Sequence, residues 1–309
     1  MKKSLWCIVL LSIMSLGWGF LAHVEINRYA VYTLPTEMQG FYKKHIEFIS
    51  ENAVTPDRRK YVFDDEAPRH FIDLDKYPNV IQYKKWTKAL EHYSLDTLTK
   101  YGIAPWHVQK VKYLLTKAFV EKNANKILRL SADMGHYIAD VHVPLHTSSN
   151  YNGQKTGQEG IHSFWETRLP QLYSKTYRLN VGKANYIPDT QEAIWKAVFK
   201  TNKALDSVLR LERLLNKKYT ADKKYTIERR NGKKVQVYSE EYSRAYHKAL
   251  NGMVERQMRA AIKMTGDFWY TCWVDAGQPN LSKLKEPVWE KEEWEKVIPA
   301  KKLPVDGGD

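Results

Sequence analysis

Between His136 and Glu166, five side chains able to bind a metal fall at fixed intervals: His136, x3, Asp140, x5, His146, x15, His162, x3, Glu166. A helix brings residues four apart onto one face, so His136 pairs with Asp140 and His162 with Glu166. An imidazole nitrogen beside a carboxylate oxygen is a donor set that Zn²⁺ accepts. Two such pairs with His146 between them exceed the needs of one four-coordinate ion. The stretch therefore reads as part of a multinuclear zinc site. His142, two residues from Asp140, projects from another side of the helix and receives no metal role. His45, His92, His107 and His247 lack spaced partners and read as surface or core residues.

The elements that must position these ligands are mainly helices. Apolar spacing predicts a helix over 18–33 and a second reaching about 52. Residues 53–82, with Pro56, Pro68, Pro78 and the acidic run Asp64-Asp65-Glu66, read as a long functional loop. Helices are predicted over 84–100, 106–121 (with Pro105 near its start) and 124–142, where Pro144 follows. A Ser-, Asn- and Gly-rich loop spans 147–160. Further helices follow over 161–173, 189–217 and 240–273. Asn231-Gly232, between two β-favouring arms, predicts a hairpin over 225–239 with basic exposed arms. No internal repeat is visible. The expected fold class is all-α: one multi-helix domain with a small β-hairpin.

The chain has 309 residues, 43% of them hydrophobic, and a formal charge of +14. A basic balance suits nucleic acid or anionic lipid, but basic secreted proteins are also common. Residues 1–17 place Lys2-Lys3 before an apolar run that ends at small residues, the pattern of a secretory signal too short to span a bilayer. Cleavage there would make Trp18 the first residue and remove two lysines, leaving 14 − 2 = +12. It would also remove Cys7, so Cys272, read as a buried apolar residue, could form no intrachain disulfide. Export without disulfides points to a bacterial periplasm or cell exterior. The expected organisation is a signal peptide over 1–17, a domain over 18–280 and a polar tail over 281–309.

Three ions need more ligands than the central stretch offers. Upstream lie Trp18 and His23, spaced W-x4-H, and Asp57 and His70, spaced D-x12-H. A freed α-amino group is partly neutral near pH 8 and can bind zinc with its own carbonyl. The ordered set from Trp18 to Glu166 resembles that of the zinc-dependent S1/P1 nuclease and phospholipase C superfamily. That resemblance implies three zinc ions per chain. Asp57, His70, His136 and Asp140 would hold one, and His146, His162 and Glu166 a second. The Trp18 terminus, His23 and Asp140 would hold the third. It also implies hydrolysis of a phosphoester by zinc-activated water, with Asp57 orienting the water and Lys60 touching a phosphate oxygen.

The metal set does not decide the substrate, because both branches of the superfamily share it. The run His70-Phe71-Ile72-Asp73 resembles a nuclease pattern in which Phe71 stacks on a base and Asp73 bonds its edge. Asn152, in the loop after His146, would sit near the phosphate. Leu21 and Arg58 stand where choline-selective relatives carry an acidic residue and a tyrosine, which argues against phosphatidylcholine. Glu166 and the short 147–161 loop instead match the phospholipase form. The sequence reading favours a nuclease acting on single-stranded nucleic acid or nucleotides. Phospholipase C acting on phospholipid is the alternative, and a catalytically degenerate zinc- or lipid-binding surface protein a second one. No stable protein partner is predicted.

Overall fold

The structure, a computed structural model, describes residues 20–230 and 232–288. The expected signal peptide, Trp18, Asn231 of the hairpin turn and the tail beyond residue 288 lie outside the described residues. Among the described residues the fold is all-α apart from one hairpin. It opens with α1 (Phe20–Val31), α2 (Thr36–Lys44) and α3 (Ile46–Glu51). The second expected helix is thus two helices, parted at His45, whose φ of −111° and ψ of 20° leave the helical range. The expected loop 53–82 is more ordered than its prolines suggest. It contains α4 (Thr55–Arg59), with Pro56 in the first turn and Asp57 beside it, followed by three single 3-10 turns.

Two short helices, α5 (Trp86–His92) and α6 (Leu95–Tyr101), replace the expected single one. Ser94 caps α6, its hydroxyl accepting the Thr97 N–H at 3.1 Å. The long pair α7 (Ala104–Val120) and α8 (Ala124–Asp140) follows, and Asn123 caps α8 by accepting from Lys126 N–H. After the loop come α9 (Ile161–Ser163), a π-helical turn over Phe164–Arg168, and α10 (Leu169–Tyr173). The π turn has a local cause. Pro170 has no N–H for the carbonyl of Glu166, and its ring would clash with that carbonyl. The turn widens instead, and Leu169 N–H reaches back five residues to Phe164.

Then α11 (Thr190–Asn216) starts at its Asp189 cap, and α12 (Ala221–Lys224) leads into β1 (Tyr225–Arg230) and β2 (Lys233–Tyr238). The strands pair antiparallel, Tyr225 opposite Tyr238, and Gly232 takes φ of +77° in the turn. The expected helix over 240–273 is broken into α13 (Glu240–Ala249) and α14 (Met253–Asp275). Asn251 and Gly252 adopt positive φ there, a turn signal of the same Asn-Gly type as the hairpin's. Residues 281–288 pack back onto the domain past the expected boundary: Leu281 is buried, Glu286 pairs with Lys44, and Asn125 holds Val288. No helix among the described residues is long and apolar enough to cross a membrane.

The apolar core has two parts. One gathers α7, α8, the start of α11 and the C-terminal half of α14 around Trp195, Trp269 and Phe119. The other gathers α13, the N-terminal half of α14 and the hairpin around Phe164, Tyr242 and Tyr246. The end of α8 lies between them, with Tyr137 and Ile138 in the first part and Ala139 in the second. Helix α1 crosses α8 closely because Gly135 has no side chain. A Cβ there would lie 1.7 Å from Asn27 Oδ1. Buried Asn27 in turn donates to the carbonyls of Ile49 and Ala132, tying α1 to α3 and α8. That crossing brings His23 beside His136.

Candidate metal centre

Eight of the nine ligands named from the sequence fall within the described residues, and the structure gathers them around the end of α8. His136 and Asp140 project together as the helix period requires, His136 Nε2 lying 3.2 Å from Asp140 Oδ2. His70 Nδ1 reaches the same place, 2.9 Å from Asp140 Oδ2 and 2.9 Å from His136 Nε2. Asp57 stands on the far side, its Oδ1 3.7 Å from both imidazoles. His23 Nε2 lies 3.4 Å from the other oxygen of Asp140, with its ring stacked on His136 at 4.2 Å. A second cluster joins His146 and His162 to Glu166: both Nε2 atoms approach Glu166 Oε2, at 3.1 and 3.0 Å. The π turn carries Glu166 and still leaves it on the face of His162. Trp18 lies outside the described residues.

The donor chemistry tests whether a cation fits. His136 Nδ1 lies 2.7 Å from the carbonyl of Ala53, so it must carry a proton to donate. Its Nε2 then presents a lone pair to Asp140 and His70. His146 repeats the arrangement: Nδ1 donates to the carbonyl of His70 at 2.8 Å, and Nε2 presents a lone pair to the Glu166 carboxylate. Fixing the outer nitrogen to a carbonyl is how a ligating histidine's tautomer is set. A lone pair facing a carboxylate oxygen needs a cation between them, a proton in the metal-free chain or a metal ion. The buried His162 Nε2, which faces Glu166 Oε2, makes no hydrogen bond, as befits an atom of such a site. Three groups of ligand atoms close enough to share an ion result: His23, Asp57 and His136; His70, His136 and Asp140; and His146, His162 and Glu166. The imidazole and carboxylate donors fit Zn²⁺.

Electrostatics agree with a strongly coupled centre. Burial alone would raise Asp140, but His136 and His146 outweigh it and hold the carboxyl well below its ordinary range. Burial would also raise Asp57, yet His136, Lys60 and His70 bring it down to about 2. Burial would lower His146, but Asp140 and Glu166 push it up to about 10. Burial and the neighbouring His136 bring His23 down to about 4. Carboxylate charge thus stays concentrated around His136 and His146.

A cavity of about 410 Å³ opens beside the centre. His70, His146 and His162 form its inner wall, and Lys60, Phe71, Asp73, Lys100, Ser149 and Tyr151 line the rest. Phe71 and Asp73 therefore line this cavity, and Lys60 lies there too, its Nζ 3.2 Å from Asp57 Oδ1. Burial and then Asp75 push Asp73 up to about 6. Asn152 is placed differently. Its Oδ1 accepts the Gly160 N–H at 2.9 Å, and it is not part of the cavity lining. Asn150 likewise bonds within its own loop, accepting from Lys155 N–H and donating to Thr156. Both asparagines do turn chemistry. Leu21 and Arg58 are half-buried and outside the cavity lining. His142 is buried with Nδ1 donating to the Ile138 carbonyl, away from the centre as expected.

Sequence reasoning missed Lys100, Ser149 and Tyr151, which no spacing marks. It also missed the polar shell behind His70, where Glu66, taken only as part of an acidic run, lies fully buried. The spacing Glu66-x3-His70 was the available signal.

Solved structures of two toxins share the fold. The alpha toxin of Clostridium absonum superposes with a TM-score of 0.52 and 15% identity, over 86% of this chain and 66% of that one. The alpha-toxin of an avian strain of Clostridium perfringens gives 0.50 and 12%, over 85% and 65%. This chain therefore spans about two thirds of the toxins' length. No family model and no curated protein matches the chain. At these identities the likeness establishes the all-α architecture, and this chain is similar in fold to the Clostridium alpha toxins.

Proposed function

We propose that this chain is a zinc-dependent phosphodiesterase of the phospholipase C type, acting on phospholipid at a trinuclear centre. The observation that carries the reading is the convergence of His70, His136 and Asp140, and of His146, His162 and Glu166, with the tautomers of His136 and His146 set by carbonyls. This choice corrects the nuclease preference drawn from the sequence. Similarity in fold to alpha toxins supports the phospholipase reading, as do Glu166 and the short loop after His146. The nuclease reading loses its loop contact, since Asn152 is spent on the Gly160 N–H. Phe71 and Asp73 do not rescue it, because an aromatic wall and a carboxylate serve a polar lipid headgroup equally well.

Zinc held by these residues would supply Lewis acidity toward a phosphoryl oxygen and lower the pKa of water at the site. The chain's own groups do the rest. Asp57, kept ionised beside His136 and Lys60, orients a water and accepts its proton. Lys60 offers Nζ to a non-bridging phosphate oxygen. Phe71 and Tyr151 wall the cavity that receives the headgroup, and Asp73 accepts hydrogen bonds there, while the Ser149 hydroxyl donates to Asp75.

A substrate panel with the purified mature protein tests this: phosphatidylcholine, phosphatidylethanolamine, phosphatidylglycerol, single-stranded DNA, RNA and 3′-mononucleotides. Turnover of phospholipid, lost on chelation and in His146→Ala, is the expected result. Turnover of nucleic acid alone would return the reading to a nuclease. About three zinc ions per chain without any turnover would leave a binding protein.

A further inference from the structure

We propose that Glu66 is a positioning residue that fixes the imidazole of His70 from behind. This rests on the reading of His70 as a metal ligand. The ring of His70 has two faces of use. Nδ1 points into the centre, toward Asp140, His136 and Asp57. Nε2 points away, is buried and makes no hydrogen bond of its own. The carboxylate oxygen that faces it is Glu66 Oε1, at 3.6 Å.

A buried carboxylate is costly unless its neighbours hold it, and Glu66 is held from every other side. Arg69 Nη1 lies 2.5 Å from Oε2, and Arg59 approaches both oxygens at 3.3 and 3.4 Å. Tyr137 donates its hydroxyl to Oε1. The arginines are themselves anchored by second carboxylates, Arg59 by Asp133 at 2.9 Å and Arg69 by Asp65. The rings of Tyr137 and His136 stand edge-on to His70 at 5.4 and 4.8 Å and wall it in. The carboxylate therefore has one orientation, and that orientation places Oε1 behind Nε2. A carboxylate there favours the tautomer with the proton on Nε2. That tautomer leaves Nδ1 bare toward the centre, as the backbone carbonyls do for His136 and His146. His70 has no carbonyl in that role, and Glu66 takes it.

The sharp test is Glu66→Gln, which keeps the volume while each arginine retains its second carboxylate. Zinc content by mass spectrometry and zinc affinity by chelator competition are read without any activity assay. The expected result is a roughly 10–100-fold loss of affinity at one site, with the remaining zinc retained. Asp133→Asn is the control, since it weakens the same Arg59 network without touching His70. It should lower the melting temperature and leave zinc affinity unchanged. Equal zinc affinity in Glu66→Gln and wild type, or equal losses in Glu66→Gln and Asp133→Asn, overturns the proposal. Should Glu66→Gln fail to fold, Glu66→Asp keeps the charge for the arginines but withdraws it from His70, and the same loss is expected. His70→Ala separates the two levels: unchanged zinc content there would sink the ligand reading itself.

Discussion

At the scale of single residues, the spacing of ligands carried most of the information. His136-x3-Asp140 and His162-x3-Glu166 were legible because a helix converts that interval into one face, and the observed contacts obey it. Glu66 was not legible as more than a loop charge, because the arginine clamps and the tyrosine that give it a direction are set by the fold. The charge balance of the centre has a measurable consequence. His146, pushed up to about 10, keeps in the zinc-free folded protein a proton that the unfolded chain loses above about 6.5. Its stabilising contribution is therefore complete below about 6.5 and is lost as pH rises through about 10. Bound zinc requires the bare imidazole, so the zinc form instead gains stability as pH rises through about 6.5. Melting temperatures across this window should fall for chelated protein and not for zinc-loaded protein. Parallel curves would refute the sign.

At the scale of elements, the long helices and the hairpin were readable from apolar period, caps and the Asn-Gly pair. The breaks were harder. Asn251-Gly252 carried a turn signal inside an amphipathic pattern that outweighed it, and His45 carried none. The π turn around Glu166 was hidden as well, although Pro170 announces it to anyone asking which carbonyl it displaces. Replacing Pro170 by Ala should restore a regular helix, whose period keeps Glu166 on the face of His162. We expect an unchanged or higher melting temperature with zinc retained in the His146 cluster, read by thermal unfolding and metal analysis, and loss of that zinc would show that the π turn itself sets the reach of Glu166. The crossing of α1 over α8 gives the complementary case. Gly135→Ala sets a methyl against Asn27, and overpacking of this kind costs about 1–3 kcal/mol. Denaturant unfolding should show that loss, and it should be smaller when Asn27 is also replaced by Ala.

At the scale of the whole molecule, the centre sits where two core regions meet, at the end of α8. Its candidate ligands come from α1, α4, the 3-10 turn ending at His70, α8, the 3-10 turn that holds His146, α9 and the π turn, so no segment could assemble it alone. That dispersal is why the sequence could name the ligands but not the substrate. The cavity that would select it is lined by Lys100, Ser149 and Tyr151, which belong to no motif. Of the terminal ligand expected at Trp18, His23 gives the local test, since it lies beside Asp140 Oδ1 with its ring on His136. A form retaining extra residues before Trp18 should bind one zinc fewer than the processed form. Equal zinc content in the two forms would remove the terminal amine from the ligand set.

The bond from His146 to the carbonyl of His70 has a reciprocal: Ile72 N–H donates to the carbonyl of His146 at 2.9 Å. The strand of chain that holds a ligand of one cluster thus also holds a ligand of the other. Ordering one ligand by an ion draws its partner's backbone into register, so filling one cluster favours filling the other. Titration of the metal-free protein with zinc should therefore be cooperative. Its steepness should drop in Ile72→Pro, which removes the returning N–H.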